Sequence, residues 1–93
     1  MDRIYLNELY DLYQELLNEH EKEIFTNYYH EDLSLNEIAL NMNVTKNAIY
    51  KTLKSVEKKI ISYEEKLRLH YKKNEILKYI ENNDIIKIRE IVE

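Results

Sequence analysis

Two helix start signals lie close together in the middle of the chain, and they leave room for only a short helix between them. Ser34 precedes Glu37 by three residues, a spacing at which the two residues can cap the first turn of a helix reciprocally. Thr45 is a second residue of the type that favours a helix N-cap. Residues 34–59 are therefore predicted to form two helices joined by a tight turn, which is the layout of a helix-turn-helix.

The turn between these two helices requires a residue in the left-handed backbone conformation. Asn43 stands where the turn is expected, and asparagine tolerates that conformation better than any residue except glycine. The chain contains only two alanines, Ala39 and Ala48, and one falls in each helix, where a close crossing leaves little room for longer side chains. The residues predicted to form the core here are Ile38, Ala39, Met42, Val44, Ala48, Ile49 and Leu53.

The rest of the chain also favours helices. The sequence has no glycine and no proline, so it lacks the strongest helix breakers. Apolar residues recur at helical spacing over residues 3–17, and Asn18 with Glu21 marks the start of a second helix that ends near Glu31. A chain of 93 residues is long enough for one modest core. The predicted fold class is all-α.

The helix that begins after Thr45 carries an apolar seam that continues well beyond residue 59. The seam alternates four- and three-residue spacings, and it predicts a helix that ends at about His70. Two interpretations are open, because the seam can pack against the first helix of the same chain or form a coiled coil with a second copy, giving a homodimer. The seam consists of Ile49, Leu53, Val56, Ile60, Tyr63 and Leu67.

The C-terminal part of the chain has a pattern of its own. The polar segment 72–74 interrupts the seam, and a short helix is predicted from there to about residue 82. Asp84 is placed to cap one last helix. The chain therefore divides into a helix-turn-helix domain over residues 1–73 and a small C-terminal helical hairpin over residues 74–93.

The charges of the chain are unevenly distributed. Residues 1–33 carry two basic and nine acidic side chains, whereas residues 34–61 carry five lysines and two acidic side chains. Residues 62–93 carry seven of each sign. The formal net charge of −4 argues against indiscriminate DNA binding, but the one basic segment is the predicted helix-turn-helix.

The second helix of a helix-turn-helix presents its first turns to the bases of the major groove and its flanks to phosphates. Asn47 has the amide needed to bind an adenine edge, and the lysines supply positive charge for guanine edges or phosphates. This face has no arginine, so base-specific readout is expected to be weak. The competing interpretation is an ordinary solvent-exposed face rich in lysine. The predicted nucleic-acid-binding residues are Thr45, Lys46, Asn47, Tyr50, Lys51, Lys54 and Lys58.

Several other classes of function are disfavoured. The chain has no cysteine, which excludes disulfide and thiolate chemistry. His20, His30, Glu31 and Asp32 lie close in sequence but lack a second ligand pair at metal-binding spacing, and no nucleophile has a base at recognisable spacing. We expect no metal, no cofactor and no enzymatic activity. The acidic N-terminus and the lack of a long apolar run predict a cytoplasmic protein that does not insert into a membrane.

Four segments give the chain a resemblance to a known family. They are LYDLY at residues 9–13, YYHEDLSLNEIA at 28–39, VTKNAIY at 44–50 and YEEKL at 63–67. Over about residues 9–69 the chain resembles the YlxM family, small bacterial helix-turn-helix proteins similar to the promoter-reading domain of sigma factors. It departs from the family pattern at Asn43, which is usually glycine, and at Lys46, Asn47 and Lys51, which are usually arginine, glutamine and an acidic residue.

The resemblance implies a sigma-factor-like helix-turn-helix domain with an extended fourth helix, followed by the C-terminal hairpin. It also implies a regulatory or accessory role in the signal recognition particle pathway, whose GTPase component is commonly encoded beside members of the family. Two functions follow as hypotheses. The protein binds that GTPase or its receptor, through its acidic N-terminal half, or it dimerises and binds double-stranded DNA through residues 45–54.

Overall fold

Six α-helices make up the structure within residues 2–92, the part of the chain that the computed structural model describes. A short 3₁₀ turn, Gln14–Leu16, continues the first helix. These described residues contain no β-strand, and the predicted all-α fold class is confirmed. The helices are α1 Arg3–Tyr13, α2 Glu19–Tyr29, α3 Leu35–Met42, α4 Lys46–Leu67, α5 Leu69–Glu81 and α6 Ile85–Val92.

The core lies where α4 packs against α1, α2 and α3. The predicted seam faces inward over most of its length, since Ile49, Leu53, Val56 and Ile60 are each at most 3% exposed. The seam is therefore used inside the chain, and these buried residues cannot form a coiled coil with a second copy. The other buried apolar residues are Leu6, Leu9, Tyr10, Tyr13, Leu17, Ile24, Phe25, Ile38 and Ala39.

The carboxylate of Glu64 joins α4 to α1 and to the start of α5. The Tyr13 hydroxyl donates to Glu64 Oε1 at 2.6 Å, and the same hydroxyl accepts from the backbone amide of Leu69 at 3.0 Å. The next two amides, those of His70 and Tyr71, donate to the two Glu64 oxygens at 3.0 and 3.2 Å. A negative side chain thus satisfies the free amides at the N-terminus of α5, where the helix dipole also favours negative charge.

The break between α4 and α5 lies earlier than the sequence predicts. The predicted helix end at about His70 is wrong, because α4 ends at Leu67 and Arg68 adopts a left-handed conformation with φ 55°. The predicted interruption at residues 72–74 is also wrong, since these residues lie within α5. The boundary drawn between residues 73 and 74 consequently falls inside a helix. The reason is tertiary: the bonds that start α5 come from side chains of α1 and α4.

The first helix also ends earlier than predicted. Its α-helical part stops at Tyr13 and the 3₁₀ turn follows, where the sequence predicted one helix up to residue 17. Leu17 is extended, with φ −104° and ψ 151°, and Asn18 after it caps α2 through a reciprocal pair with Glu21. An N-cap requires extended backbone, so the start of α2 sets the end of the preceding helix.

The C-terminal hairpin consists of α5 and α6, which pack against each other, and α5 also contacts α1. The described chain is elongated, with principal extents of 53 × 21 × 20 Å. Among its helices, none combines the length and the apolar character that crossing a membrane requires. The hairpin is therefore a second, thinner layer attached to the helix-turn-helix body through α1 and the end of α4.

We predict that Tyr13→Phe lowers the free energy of unfolding by about 1–3 kcal/mol, because it removes the acceptor of the Leu69 amide and the donor to Glu64. Urea denaturation followed by circular dichroism measures this change. The matched control is Tyr28→Phe, whose hydroxyl has no hydrogen-bond partner among residues 2–92. An equal loss in both variants would contradict a role of the buried hydroxyl in this junction.

The same junction predicts a pH dependence of stability on both sides of neutrality. Burial alone raises the pKa of Glu64, but the bonds from Tyr13 and from the amides of α5 lower that pKa below its ordinary 4.5, so stability is lost as the pH falls below 4.5. Burial, and then the bond to Glu64, raise the pKa of Tyr13 from 10.0 to about 12, so stability is lost as the pH rises from 10 to 12.

Urea denaturation at a series of pH values measures how the free energy of unfolding changes with pH. We expect Glu64→Gln to reduce the loss of stability below pH 4.5, and Tyr13→Phe to reduce the loss between pH 10 and 12. If both variants lose stability with pH as the parent does, other groups govern these changes.

Candidate nucleic-acid interface

The start signals of the helix-turn-helix operate as the sequence predicts. Ser34 Oγ accepts from the Glu37 amide at 3.1 Å, and Glu37 Oε1 accepts from the Ser34 amide at 3.1 Å. Thr45 Oγ1 accepts from the Ala48 amide at 3.1 Å, which starts α4. Asn43 is left-handed, with φ 56° and ψ 45°. Both caps and the predicted turn residue are confirmed.

Two of the residues predicted for the core are instead at the surface. Val44 is 44% exposed and Ala48 is also exposed, so the core prediction is wrong for both. Ile49 is the first residue of α4 to enter the core, and Ala48, one position earlier, points about 100° away from it. The Val44 amide closes the end of α3 by donating to the Ala39 carbonyl at 3.0 Å, and this places Val44 outside the crossing.

The other core predictions near the turn are confirmed, with one side chain only partly covered. Ile38 and Ala39 of α3 are buried, as are Ile49 and Leu53 of α4. Met42, at the end of α3, is half-buried and packs against the core from its edge. At the crossing of α3 and α4, α3 therefore contributes the small side chain of Ala39, and α4 contributes larger apolar side chains.

All seven residues predicted to bind nucleic acid lie on the exposed surface of α4 and its cap. Three exposed lysines of α4 are spaced by about one helical turn and form a ridge opposite the buried seam. We call this the lysine ridge; it consists of Lys51, Lys54 and Lys58. Tyr50, which is 48% exposed, stands at the start of this lysine ridge. The structure thus brings together Tyr50, Lys51, Lys54 and Lys58, while Thr45 serves as the cap and Lys46 and Asn47 form the first exposed turn.

Two serines that the sequence analysis did not single out belong to the same surface. Ser55 and Ser62 line a shallow groove along the lysine ridge, together with its lysines. Their spacing from Lys51 and Lys58 is four residues, which is the helical signal that could have identified them. Their hydroxyls add hydrogen-bonding capacity beside the positive charges, which is a combination suited to phosphate oxygens.

The lysines of α4 differ in how they are held. Lys54 pairs with Glu57 at 3.3 Å and lies 5.6 Å from the centre of the Tyr50 ring. Glu57 in turn accepts from the Tyr29 hydroxyl at 3.0 Å. Lys46, Lys51 and Lys58 make no ion pair with any residue in the range 2–92. The Lys54 ammonium is therefore held in place by Glu57, whereas the three unpaired lysines can bind an anionic partner.

Lys59 has a structural role instead. Its ammonium contacts Glu21 Oε2 at 2.5 Å, and Glu21 is 7% exposed. Although burial alone would raise the pKa of Glu21, the bonds from Lys59 and from the Asn18 amide lower it. This pair ties α4 to the start of α2, while the exposed part of Lys59 lines the groove beside the ridge.

Exposed carboxylates lie on the 3₁₀ turn after α1 and on α2. Glu15, Glu19 and Glu23 are exposed, and we call them the acidic face. Glu19 has a pair with Lys22 at 3.4 Å, whereas Glu15 and Glu23 have no ion pair within the described chain. The protein thus carries an acidic surface on the 3₁₀ turn and α2 and a basic ridge on α4.

The histidine and acidic residues that suggested a metal do not form a site. Across residues 2–92, no three side chains of His, Cys, Asp or Glu are grouped as a metal would require. Asp32 instead binds the Arg3 guanidinium at 2.6 Å, and the His30 ring contacts the Asn7 side chain at 3.0 Å. These side chains fasten the end of α2 to the start of α1.

The comparisons with known proteins agree with this architecture. A family model described as "Putative helix-turn-helix protein, YlxM / p13 like" matches residues 1–92. The chain belongs to this YlxM-like helix-turn-helix family. The resemblance found in the sequence, which covered about residues 9–69, is thereby confirmed and extends over the α5–α6 hairpin.

Relatives in the YlxM-like family come from several bacterial groups. A UPF0122 protein of Clostridium novyi is 42% identical over 77 residues, which cover 83% of this chain and 67% of the relative. A UPF0122 protein of Mycoplasma capricolum is 40% identical over 83 residues, which cover 86% of this chain and 74% of the relative. A third, from Caldanaerobacter subterraneus, is 38% identical over 91 residues, which cover 98% of this chain and 74% of the relative.

The cap of α4 gives a prediction for this YlxM-like protein. Thr45→Ala should lower the free energy of unfolding by about 1 kcal/mol, because it leaves the Ala48 amide without its acceptor. Thr45→Ser keeps the hydroxyl and should be close to neutral. Thermal or urea denaturation of the three proteins measures the difference. A Thr45→Ala variant as stable as the parent would show that the cap bond contributes nothing.

Proposed function

We propose that the protein is an accessory protein of the signal recognition particle pathway that binds the pathway's GTPase or its receptor and modulates assembly or GTP turnover. The observation that carries the proposal is the acidic face formed by Glu15 of the 3₁₀ turn and by Glu19 and Glu23 of α2. The choice of partner rests on the resemblance to the YlxM family, which implies a role beside that GTPase.

Electrostatics supports binding to a basic protein surface. Residues 1–33 hold nine of the acidic side chains and only two basic ones. The two basic residues, Arg3 and Lys22, are engaged with Asp32 and Glu19, so they do not offset the unpaired carboxylates around them. Such a field steers a basic partner and raises the rate of association, more at low salt than at high salt.

A second candidate function is favoured by the lysine ridge. Lys46, Lys51 and Lys58 are exposed and unpaired within residues 2–92, and they lie on the helix that a helix-turn-helix inserts into the major groove. Roughly four phosphate contacts per chain would give a salt slope of about −3 to −4. Asn47 is exposed, so its side-chain amide can reach an adenine edge. In this function the protein is a DNA-binding transcription regulator, and lysine in place of arginine limits its sequence specificity.

The experiment that tests both functions is a pull-down from the native cytoplasm with the tagged protein, with and without nuclease. The accessory function predicts nuclease-resistant capture of the signal recognition particle GTPase or its receptor. Capture of defined DNA fragments without either protein would overturn that proposal and favour the regulator.

Charge-reversal variants assign each activity to a surface. We expect Glu19→Lys with Glu23→Lys to abolish capture of the GTPase, and Lys51→Glu with Lys54→Glu to lower affinity for duplex DNA by more than about tenfold. The matched controls reverse equal charge elsewhere: Glu65→Lys with Glu81→Lys, and Lys66→Glu with Lys78→Glu. If a control pair has the same effect as its test pair, net charge and not the named surface governs binding.

A further inference from the structure

A groove runs along the outer flank of α4, and its lining is suited to phosphate oxygens over its whole length. Four lysines, two serines and one tyrosine line it, from Tyr50 at one end to Ser62 at the other, and we call it the ridge groove. Each of these side chains can donate a hydrogen bond, and none is negatively charged. Its two ends are twelve residues of helix apart, so the ridge groove is about 18 Å long. The chemistry of its lining therefore favours an anionic ligand that extends along the helix.

The open shape of the ridge groove favours a polymer over a small molecule. Small-ligand sites enclose most of the ligand surface. This groove, of about 530 Å³, instead lies open on the side of a helix on which Lys51, Lys54 and Lys58 are exposed. A polymer with one negative charge per monomer can contact these lysines turn after turn. At the roughly 3.4 Å rise of a stacked strand, about five nucleotides would span the groove.

One end of the ridge groove holds an aromatic ring with an ammonium group fixed beside it. Tyr50 is 48% exposed, and the Lys54 ammonium lies 5.6 Å from the centre of its ring. Glu57 holds that ammonium at 3.3 Å and itself accepts from the Tyr29 hydroxyl of α2 at 3.0 Å. The ammonium is thus positioned beside the ring before any ligand binds, which lowers the entropy lost on binding. An aromatic ring next to a cation can bind a nucleotide through both its base and its phosphate.

We propose that the ridge groove binds a single strand of nucleic acid, with an unpaired base stacked on Tyr50 and the adjoining phosphates bound by Lys54, Lys58 and Ser62. The proposal rests on the second candidate function, since nucleic acid remains the partner of α4, and it names the form that is bound. In a duplex the bases stack on one another, so the Tyr50 ring has no base face to contact. The lining has no planar guanidinium or amide group for bidentate reading of base edges, so binding tolerates many sequences.

Fluorescence anisotropy with a labelled oligothymidylate tests the proposal, and its duplex with oligoadenylate of the same length is the comparison. We expect the single strand to bind at least about fivefold more tightly than the duplex, because only its bases can stack on Tyr50. Equal or tighter binding of the duplex would overturn the proposal and favour the major-groove function of α4. Binding of neither form would overturn both. Competition by polyglutamate as strong as that by unlabelled oligothymidylate would also overturn the proposal, since the groove would then bind negative charge of any kind.

A charge-matched pair of variants locates the strand on α4. Lys46 lies in the first turn, which a helix-turn-helix inserts into the major groove, and Lys58 lies about three turns later in the ridge groove. Both are exposed and have no ion pair within residues 2–92. We expect Lys58→Glu to lower the affinity for oligothymidylate by more than about tenfold, and Lys46→Glu to have a smaller effect. An equal or greater loss with Lys46→Glu would show that the strand does not follow the ridge groove, and would overturn the proposal.

Variants of the aromatic ring test the stacked base. Tyr50→Ala should lower the affinity for oligothymidylate by about five- to a hundredfold, whereas Tyr50→Phe keeps the ring and should retain the affinity. The matched control is Tyr71→Ala on α5. Tyr71 is 47% exposed and has the Arg68 guanidinium 4.2 Å from its ring centre, but it lies outside the ridge groove. Circular dichroism confirms that each variant is folded. If Tyr50→Ala binds as the parent does, or if Tyr71→Ala loses as much affinity, no base stacks on Tyr50 and the proposal is wrong.

Discussion

Burial of the apolar stripe of α4 is the constraint on which the rest of the structure depends. One side of this helix is buried in the core through Ile49, Leu53, Val56 and Ile60. Their contacts with α1 and α2 fix the rotation of the helix about its own axis. A helix has only one such side, so the lysines at intervening positions must face outward. The direction of the lysine ridge is therefore a consequence of core packing.

The sequence predicts the structure well where the decisive interactions are local. Ser34, Asn43 and Thr45 act through bonds or backbone angles within a few residues, and each was identifiable from its neighbours. Ala48 could not be placed in this way, because its exposure depends on where α3 crosses α4. Arg68 likewise gave no signal as a break, since the groups that start α5 come from residues distant in the chain.

The candidate site was predictable to the same extent and for the same reason. Helical spacing identified the exposed lysines, because exposure on a helix follows from the position of the apolar stripe. Spacing also grouped Lys58, and not Lys59, with the exposed lysines, but it could not show that Lys59 binds Glu21 on another helix. Charge patterning along the chain thus located the basic surface, but only tertiary contacts decide which lysine ammonium groups within it are free to bind.

The junction at Glu64 also has a mechanical meaning. One carboxylate is bonded at once to Tyr13 of α1 and to the first amides of α5, on either side of the left-handed residue Arg68. Tilting α5 away from α1 would therefore require these bonds to break or lengthen. The orientation of the hairpin is tied in this way to Tyr13, a buried residue of the core that also holds the lysine ridge in place.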